Sequence, residues 1–170
     1  MKLSVKEIAL FGMLGALMYA SKIALEFLPN VHLLGVFTIS MTVVYRKKAL
    51  YPIYLFVLLL GLFNGFAVWW IPHLYLWTIL WGAAMLLPQN IPDKWKPLVY
   101  MCLCAAHGFL YGTLYAPSQA LFFSLNFSQT IAWIVAGLPW DAVHGVSNFF
   151  CGILIYPLTM ILRRSLTREP

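Results

Sequence analysis

The chain has 170 residues, of which 62% are apolar and only 9% are charged. An ordinary soluble domain carries roughly a quarter charged residues. Eleven Lys and Arg against five Asp and Glu give a formal net charge of +6. So few charges cannot cover a water-soluble surface, which argues against a soluble domain, a disordered tail, a coiled coil and a DNA-binding module. The composition predicts a polytopic membrane protein without a soluble domain, and no nucleic acid as partner.

The apolar runs predict one all-α domain over residues 1–170, a bundle of six transmembrane helices. Residues 117–137 contain the polar stretch SQALFFSLNFSQ, which predicts a long outer loop with partial helix. The N-terminus has a basic start, but Glu7 interrupts the apolar core of a signal peptide. We therefore expect a retained first helix. The six predicted helices run from Val5 to Leu28, Leu33 to Tyr45, Ala49 to Ile71, His73 to Leu87, Pro97 to Ala116 and Pro139 to Leu162.

The basic residues separate cleanly between the two sides of this six-helix arrangement. Ten fall on one side and none in the opposite connections, which is a strong positive-inside signal and predicts that both termini are cytoplasmic. Lys22 is the exception, since it lies inside the first helix, where Glu26 can pair with it at i,i+4. The ten on one side are Lys2, Lys6, Arg46, Lys47, Lys48, Lys94, Lys96, Arg163, Arg164 and Arg168.

The last predicted helix carries three polar side chains on one face. Asp141, His144 and Asn148 follow one another at i, i+3 and i+7. Polar groups in a span are costly, so each is a candidate for function. With Pro139 at the first helical position, Asp141 could instead be a first-turn acid at the helix dipole. His144 could simply hydrogen-bond to Asp141 or to a neighbouring helix.

A second candidate face lies on the fourth predicted helix, where His73, Trp77 and Trp81 recur every four residues. Such a stripe can be ordinary packing. Because His73 is at the outer end of this stripe, at the same level as Asp141, the stripe could also line an outward-facing cavity with aromatic walls. Further substrate-binding candidates are Trp140, beside Asp141, and the loop residues Asn30 and His32, which are placed to cover the mouth of the cavity.

Two stripes of small residues predict close helix approach. Gly108 and Gly112 follow His107 in the fifth helix, and helix packing accounts for that face. Gly12, Ala16 and Ala20 form a ridge on the first helix, which either packs inside the bundle or contacts another protein. The three cysteines lack metal-ligand spacing, so no metal site is expected.

These features together resemble a family. The stretch Ala16-Leu-Met-Tyr-Ala20 is similar to the Ala-xxx-Ala motif of the substrate-binding S components of bacterial energy-coupling factor (ECF) transporters. The stretch from Pro139 to Asn148 resembles the start of their last helix. The resemblance implies a subunit that captures a vitamin or related micronutrient outside the bacterial cell membrane. It also implies that Gly12, Ala16 and Ala20 dock on a membrane-embedded coupling protein that carries two ABC ATPases.

Two rival classes stay open: a stand-alone secondary transporter, and an intramembrane enzyme that uses Asp141 and His144 as an acid–base pair. The two three-helix halves share no Gly/Pro breaks, which counts against an inverted-repeat transporter. The sequence contains no nucleophile motif and no second catalytic carboxylate, which counts against an enzyme. We therefore predict a non-enzyme. The chain has no GxxxxGK[ST] loop, so we expect no cofactor of its own, and ATP would be used by the partner subunits that the resemblance implies.

Overall fold

The computed structural model describes residues 3–167 of the chain, and within that range every regular element is helical. Short 3-10 turns at 46–49, 68–70 and 152–154 connect or precede several of the helices. The all-α class predicted from composition is therefore confirmed for the described residues. The α-helices are α1 Val5–Ala24, α2 Leu34–Tyr45, α3 Leu50–Asn64, α4 His73–Met85, α5 Lys96–Phe109, α6 Tyr111–Phe122, α7 Phe127–Cys151 and α8 Ile155–Thr167.

The segment 117–137, predicted as a long outer loop with partial helix, is helical except for the turn at 123–126. Helix α6 continues through Pro117, and α7 begins at Phe127 and contains Pro139 in its interior. The side chain of Asn126 accepts a hydrogen bond from the Gln129 N–H, and the Gln129 side chain accepts one from the Asn126 N–H. This capping box starts a helix twelve residues before the predicted position. The polar residues that suggested a loop therefore lie in the second half of α6, in the turn between the two helices and in the first turn of α7.

Four helical stretches among the described residues are long and apolar enough to cross a membrane. Three of them combine neighbouring helices, because α2 runs through a 3-10 turn into α3, α5 runs almost directly into α6, and α7 runs through a 3-10 turn into α8. Transmembrane character is supported by these stretches, in agreement with the composition. They are Val5–Ala24, Leu34–Asn64, Lys96–Phe122 and Phe127–Arg164.

The chain reverses direction within the second of these stretches, at Arg46. Its backbone is in the left-handed region with φ 53°, which ends α2 and turns the chain into α3. Tyr45, at the end of α2, stacks edge-on against Phe11 near the start of α1. At the other end, the Tyr19 hydroxyl donates to Asn64 Oδ1 over 3.2 Å. Helices α1 and α3 are therefore parallel, and α2 runs against both.

Helix α2 is the centre of the bundle, because nearly all of its side chains are buried. It packs on α4 and α8, while α1 packs on α3 and α5 packs on α7. Ser40 Oγ donates to the Ile155 carbonyl over 3.3 Å, which joins α2 to the start of α8. A continuous apolar core surrounds α2, and polar side chains inside it therefore stand out as candidates for function.

The described basic residues that were predicted to share one side do meet at one end of the bundle, which we call the basic end. Lys48 pairs with Glu7, so the start of α3 lies beside the start of α1. The Arg46 guanidinium donates to the Met85 carbonyl over 2.8 Å, which brings the end of α4 to the same place. Lys96 and Arg163 line one cavity with Arg46. Lys2 and Arg168 lie outside the described residues.

The small-residue ridge on α1 does not pack inside the bundle. Ala16 and Ala20 are exposed, and a Cβ added to Gly12 would meet no atom within 4 Å. The buried face of α1 is a different one, formed by Phe11, Leu14, Gly15 and Met18. Of the two readings of the ridge, internal packing is wrong. Contact with lipid or with another protein remains.

Candidate functional site

A cavity of about 460 Å³ opens between α1, α2, α3, α4 and α6 at the end of the bundle opposite the basic end. Its size is typical of small-molecule sites, and its walls are mainly aromatic with a few polar groups, as in many such sites. We call it the histidine chamber. It is lined by Lys22, His32, Leu34, Phe56, Leu60, Asn64, Trp69, His73, Trp77 and Tyr111.

All four histidines of the chain gather around Trp77, which is almost completely buried. Its ring centroid lies 5.9 Å from that of His32, 6.5 Å from that of His73 and 5.6 Å from that of His107. His144 completes the group, with its ring 4.6 Å from His32. These residues come from α4, α5, α7 and the loop before α2, so only the folded chain brings them together.

Several buried polar atoms around Trp77 have no hydrogen-bond partner among the described residues. Unpaired polar atoms are rare in folded proteins, and each costs about 1–3 kcal/mol. Indole N–H can only donate, amide oxygen can only accept, and an imidazole nitrogen can do either, depending on the tautomer. The unpaired atoms in this region are His32 Nδ1, Trp77 Nε1, His107 Nδ1, His144 Nε2 and Asn148 Oδ1.

Asp141 is not a first-turn acid, because α7 begins fourteen residues before it. Its carboxylate accepts the Gly112 N–H, with N–O distances of 3.0 and 3.1 Å. Gly112 is in the first turn of α6, where backbone N–H groups have no partner within the helix. Asp141 therefore caps α6 from the neighbouring helix. The same bond occupies the carboxylate, and no hydrogen bond joins it to His144 among the described residues.

Asn148 lies deeper, where α5 and α7 approach most closely. Its amide donates to the Cys104 carbonyl over 3.4 Å, and it is fully buried. A Cβ on Gly108 would lie 2.8 Å from the His144 carbonyl and 2.9 Å from Asn148 Nδ2. Glycine at this position allows the two helices to touch, which confirms the packing predicted for Gly108, whereas Gly112 lies in α6 and packs against Asp141.

The structure separates the predicted substrate-binding residues into two groups. His32, His73 and Trp77 line the chamber, and His144 contacts it through His32. Trp81 does not line it, because it lies about two helical turns beyond His73 along α4. Its indole is at the basic end, where Nε1 donates to the Arg46 carbonyl over 3.1 Å. Trp140 is 59% exposed on the outer face of α7. Asn30 supports the chamber from its loop, through a carbonyl that accepts from Ser147 Oγ over 2.9 Å.

Other chamber residues were missed. Tyr111 lies 4.7 Å from His144 between ring centroids, and Trp69 and Asn64 complete the rim. Tyr111 follows His107 at i,i+4, which was a usable signal. Trp69 stands near the end of a predicted helix, where tryptophan is typical of an interfacial aromatic belt, and a single Asn at a helix end carries no periodic signal. The predicted pair of Lys22 and Glu26 is confirmed at 2.6 Å, and Lys22 lines the chamber.

The His32 imidazole is held neutral in its loop. Burial lowers the pKa of His32 well below its ordinary value, and the proximity of His144 and His107 lowers that pKa further. A neutral imidazole can donate from one nitrogen and accept at the other. His32 therefore offers the chamber a hydrogen-bonding group without a permanent charge.

Among residues 3–167, no group of three or more His, Cys, Asp or Glu side chains could hold a metal ion. Comparison with protein-family models, with curated proteins and with solved structures found no match for this chain. The geometry of the chamber and the surface of the bundle therefore carry the functional argument alone.

Proposed function

We propose that this chain is the substrate-binding S component of an ECF-type importer in the bacterial cell membrane. In this proposal six helical passes cross the membrane, with both termini in the cytoplasm at the basic end, as the positive-inside rule requires. The histidine chamber then opens outward. It captures a vitamin or related micronutrient, and a coupling protein with two ABC ATPases supplies the energy.

The observation that carries the proposal is the set of unpaired polar atoms around Trp77. Five such atoms in one region of a membrane protein need a partner, because lipid supplies none. His32 Nδ1 and Trp77 Nε1 belong to residues that line the chamber, so a polar ligand bound there would satisfy them, and the His144 ring lies against that of His32. The chamber is open on one side and lined by aromatic rings, so a small molecule can reach these lining residues.

The chemistry of the walls favours a flat heteroaromatic ligand. Trp77, Tyr111 and Trp69 present aromatic rings, and the histidines add ring nitrogens at ring–ring distances of 4.6 to 6.5 Å. Such a ligand must accept a hydrogen bond from the indole N–H of Trp77, because indole only donates. Lys22 at the rim, although paired with Glu26, could contact an acidic substituent of the ligand.

The surface of α1 is consistent with a partner in the membrane. Ala16 and Ala20 expose a flat strip of small side chains on the side of α1 that faces away from the bundle. Small residues allow the backbones of two helices to approach closely in lipid. This strip is well separated from the chamber-lining face, so binding of the substrate and docking of the partner can use different surfaces.

The rival readings receive less support from the geometry. An acid–base pair needs Asp141 within hydrogen-bond reach of His144 or of a substrate. The Asp141 carboxylate instead caps α6 at Gly112. A stand-alone transporter would need a second, basic-end route to the chamber, yet the buried α2 and its apolar core fill the space between the two ends.

Ligand capture tests the proposal. The chain is purified from bacterial membranes in an uncharged detergent, denatured, and the released small molecules are identified by mass spectrometry. A stoichiometric heteroaromatic micronutrient is expected with the wild type and is expected to be lost with Trp77→Leu. Trp140→Leu, which removes an exposed indole, is the matched control and should retain the ligand. An empty wild type that also fails to bind any of a panel of water-soluble vitamins would contradict the proposal.

A further inference from the structure

A second cavity, of about 510 Å³, lies at the basic end and plays no part in the function proposed above. It opens between the ends of α2 and α4, the start of α5 and the last turns of α8. We call it the basic pocket. Its lining residues combine positive charge with an apolar wall and are Val43, Val44, Arg46, Ala84, Leu87, Pro88, Gln89, Lys96, Tyr100 and Arg163.

Positive charge is in excess in the basic pocket. Arg46, Lys96 and Arg163 line it, and the nearby carboxylate is Asp93, which pairs with Lys96 at 2.6 Å. The hydrogen bond from Lys96 lowers the pKa of Asp93, and the charge of Arg163 lowers it further. Among residues 3–167, the lining of the pocket includes three cations and no carboxylate, and Asp93 pairs with one of these cations, Lys96. The excess suits an anion with more than one oxygen acceptor, such as a phosphate.

Arg46 is held in place at the wall of this pocket. Its guanidinium donates to the Met85 carbonyl over 2.8 Å, and its own carbonyl accepts from Trp81 Nε1 over 3.1 Å. Its backbone has φ 53°, which is costly for a residue with a side chain. This conformation makes the turn from α2 into α3, and the two hydrogen bonds hold the cation at the wall of the pocket.

The rest of the wall is apolar and continues toward the membrane. Val43, Val44, Ala84 and Leu87 supply it, and the neighbouring Leu86 is 86% exposed. A soluble phosphate would leave this wall unused. A phospholipid would place its phosphate against the cations and its acyl chains along the apolar wall, and basic pockets between helices at this side of a membrane bind such headgroups.

We propose that the basic pocket binds the phosphate group of an anionic phospholipid. Lys96 and Arg163 contact the phosphate oxygens together with Arg46, and the acyl chains lie against the wall formed by Val43, Val44 and Leu87. The bound lipid joins the ends of α2, α4, α5 and α8. It therefore stabilises the basic end of the bundle.

The test compares lipids on the purified full chain in uncharged detergent. Phosphatidylglycerol, phosphatidylcholine with the same acyl chains, and inorganic phosphate are titrated separately. Thermal midpoints report stabilisation, and native mass spectrometry counts bound lipid. Of the three compounds, we expect only phosphatidylglycerol to bind one-to-one and to raise the thermal midpoint. Equal effects of phosphatidylcholine would overturn the proposal. If inorganic phosphate raised the thermal midpoint and phosphatidylglycerol did not, the pocket would bind a free anion and the lipid proposal would be overturned.

A matched pair of double variants locates the site. Lys96→Gln with Arg163→Gln removes two cations from the pocket, whereas Lys94→Gln with Arg164→Gln removes two cations from the same end outside its lining. Each basic side chain near a lipid headgroup changes affinity about fivefold, so the first pair should weaken phosphatidylglycerol binding roughly 25-fold. The control should stay within about twofold. Equal weakening by both pairs would overturn the proposal, because it would mean unspecific charge attraction.

A folding check accompanies these variants. Both pairs should elute from size exclusion at the wild-type volume. If the pocket pair elutes differently, Arg163→Gln alone decides the question, because Arg163 is exposed near the end of α8. It should weaken phosphatidylglycerol binding about fivefold relative to Arg164→Gln. Equal binding by these two single variants would overturn the proposal.

Discussion

The imidazole ring of His144 meets that of His32 nearly at right angles, with the ring centroids 4.6 Å apart. One ring belongs to the middle of α7, and the other to the loop that enters α2. The contact closes the histidine chamber on the side of α7. It also connects the loop that covers the chamber to the helix that was predicted to bind the substrate.

Replacement of His144 by alanine should weaken ligand binding. His144 Nε2 is buried and unpaired, so a ligand that hydrogen-bonds to it would lose about 1–3 kcal/mol, or roughly 5- to 150-fold in affinity. Val143→Ala, an exposed position next to it on α7, is the control and should bind normally. The measurement is calorimetric titration with the micronutrient identified by mass spectrometry. Wild-type affinity in the His144 variant would place the ligand elsewhere.

Asp141 should act through its hydrogen bond to the Gly112 N–H and not through proton transfer. Asp141→Ala leaves that N–H unpaired and should cost about 1–3 kcal/mol, seen as a lower thermal midpoint. Asp141→Asn keeps an acceptor oxygen of the same shape and should retain most of the stability and all ligand binding. Loss of function in the Asn variant with unchanged stability would instead support the acid–base reading.

Gly112 should not tolerate a methyl group. A Cβ at this position would lie 2.5 Å from Asp141 Oδ2, so Gly112→Ala must displace the capping carboxylate. Overpacking of this kind typically costs about 1–3 kcal/mol. Gly137→Ala in α7, where a Cβ meets nothing within 4 Å, is the matched control and should be neutral or slightly stabilising. Equal thermal midpoints for the two variants would argue against the close contact of α6 and α7.

Ala16→Trp should separate ligand binding from transport. Ala16 is exposed and lies outside the buried face of α1, so the isolated chain should keep its thermal midpoint and its ligand. A bulky side chain would block close helix approach by a coupling protein. Copurification with co-expressed ATPase and coupling subunits, and uptake of the ligand, should be lost.

The control for this variant is Leu17→Trp. Leu17 is 51% exposed and points about 100° away around α1. It should retain both copurification and uptake. Full uptake by the Ala16 variant would remove the ridge as the docking surface, and equal losses in both variants would indicate a defect in membrane insertion.

Stability should fall in mild acid because of His32. Its imidazole is neutral in the folded chain, since burial lowers its pKa, whereas in the unfolded chain it takes up a proton below about pH 6.5. The unfolded chain therefore binds more protons from about pH 6.5 down to the lower folded-state pKa. Stability decreases across that window by up to about 1.4 kcal/mol per pH unit. His32→Gln should reduce the drop in thermal midpoint between pH 7.5 and pH 5, and an unchanged drop would contradict the assignment.

The sequence by itself determined the helical class and the apolar character of the long helices, because these depend on local composition. Even so, α6 and α7 extend through Pro117 and Pro139. A proline lacks one N–H and usually ends a helix in isolation. The extension became possible because the two helices pack on each other, for example where Tyr115 stacks on Trp133. Local sequence signals therefore underestimate the length of helices that are stabilised by packing against each other.

The tertiary structure decided which polar side chains share a site. Helical periodicity correctly placed Asp141, His144 and Asn148 on one face, yet the face meets three environments: the cap of α6, the chamber and the α5–α7 contact. It also grouped Trp81 with His73, although depth along α4 separates them by two turns. His32 and His107 joined the cluster only through folding, because the position of a loop or a neighbouring helix is set by long-range packing. Spacing along one helix shows which side chains share a face, whereas packing between helices decides which side chains lie close together in space.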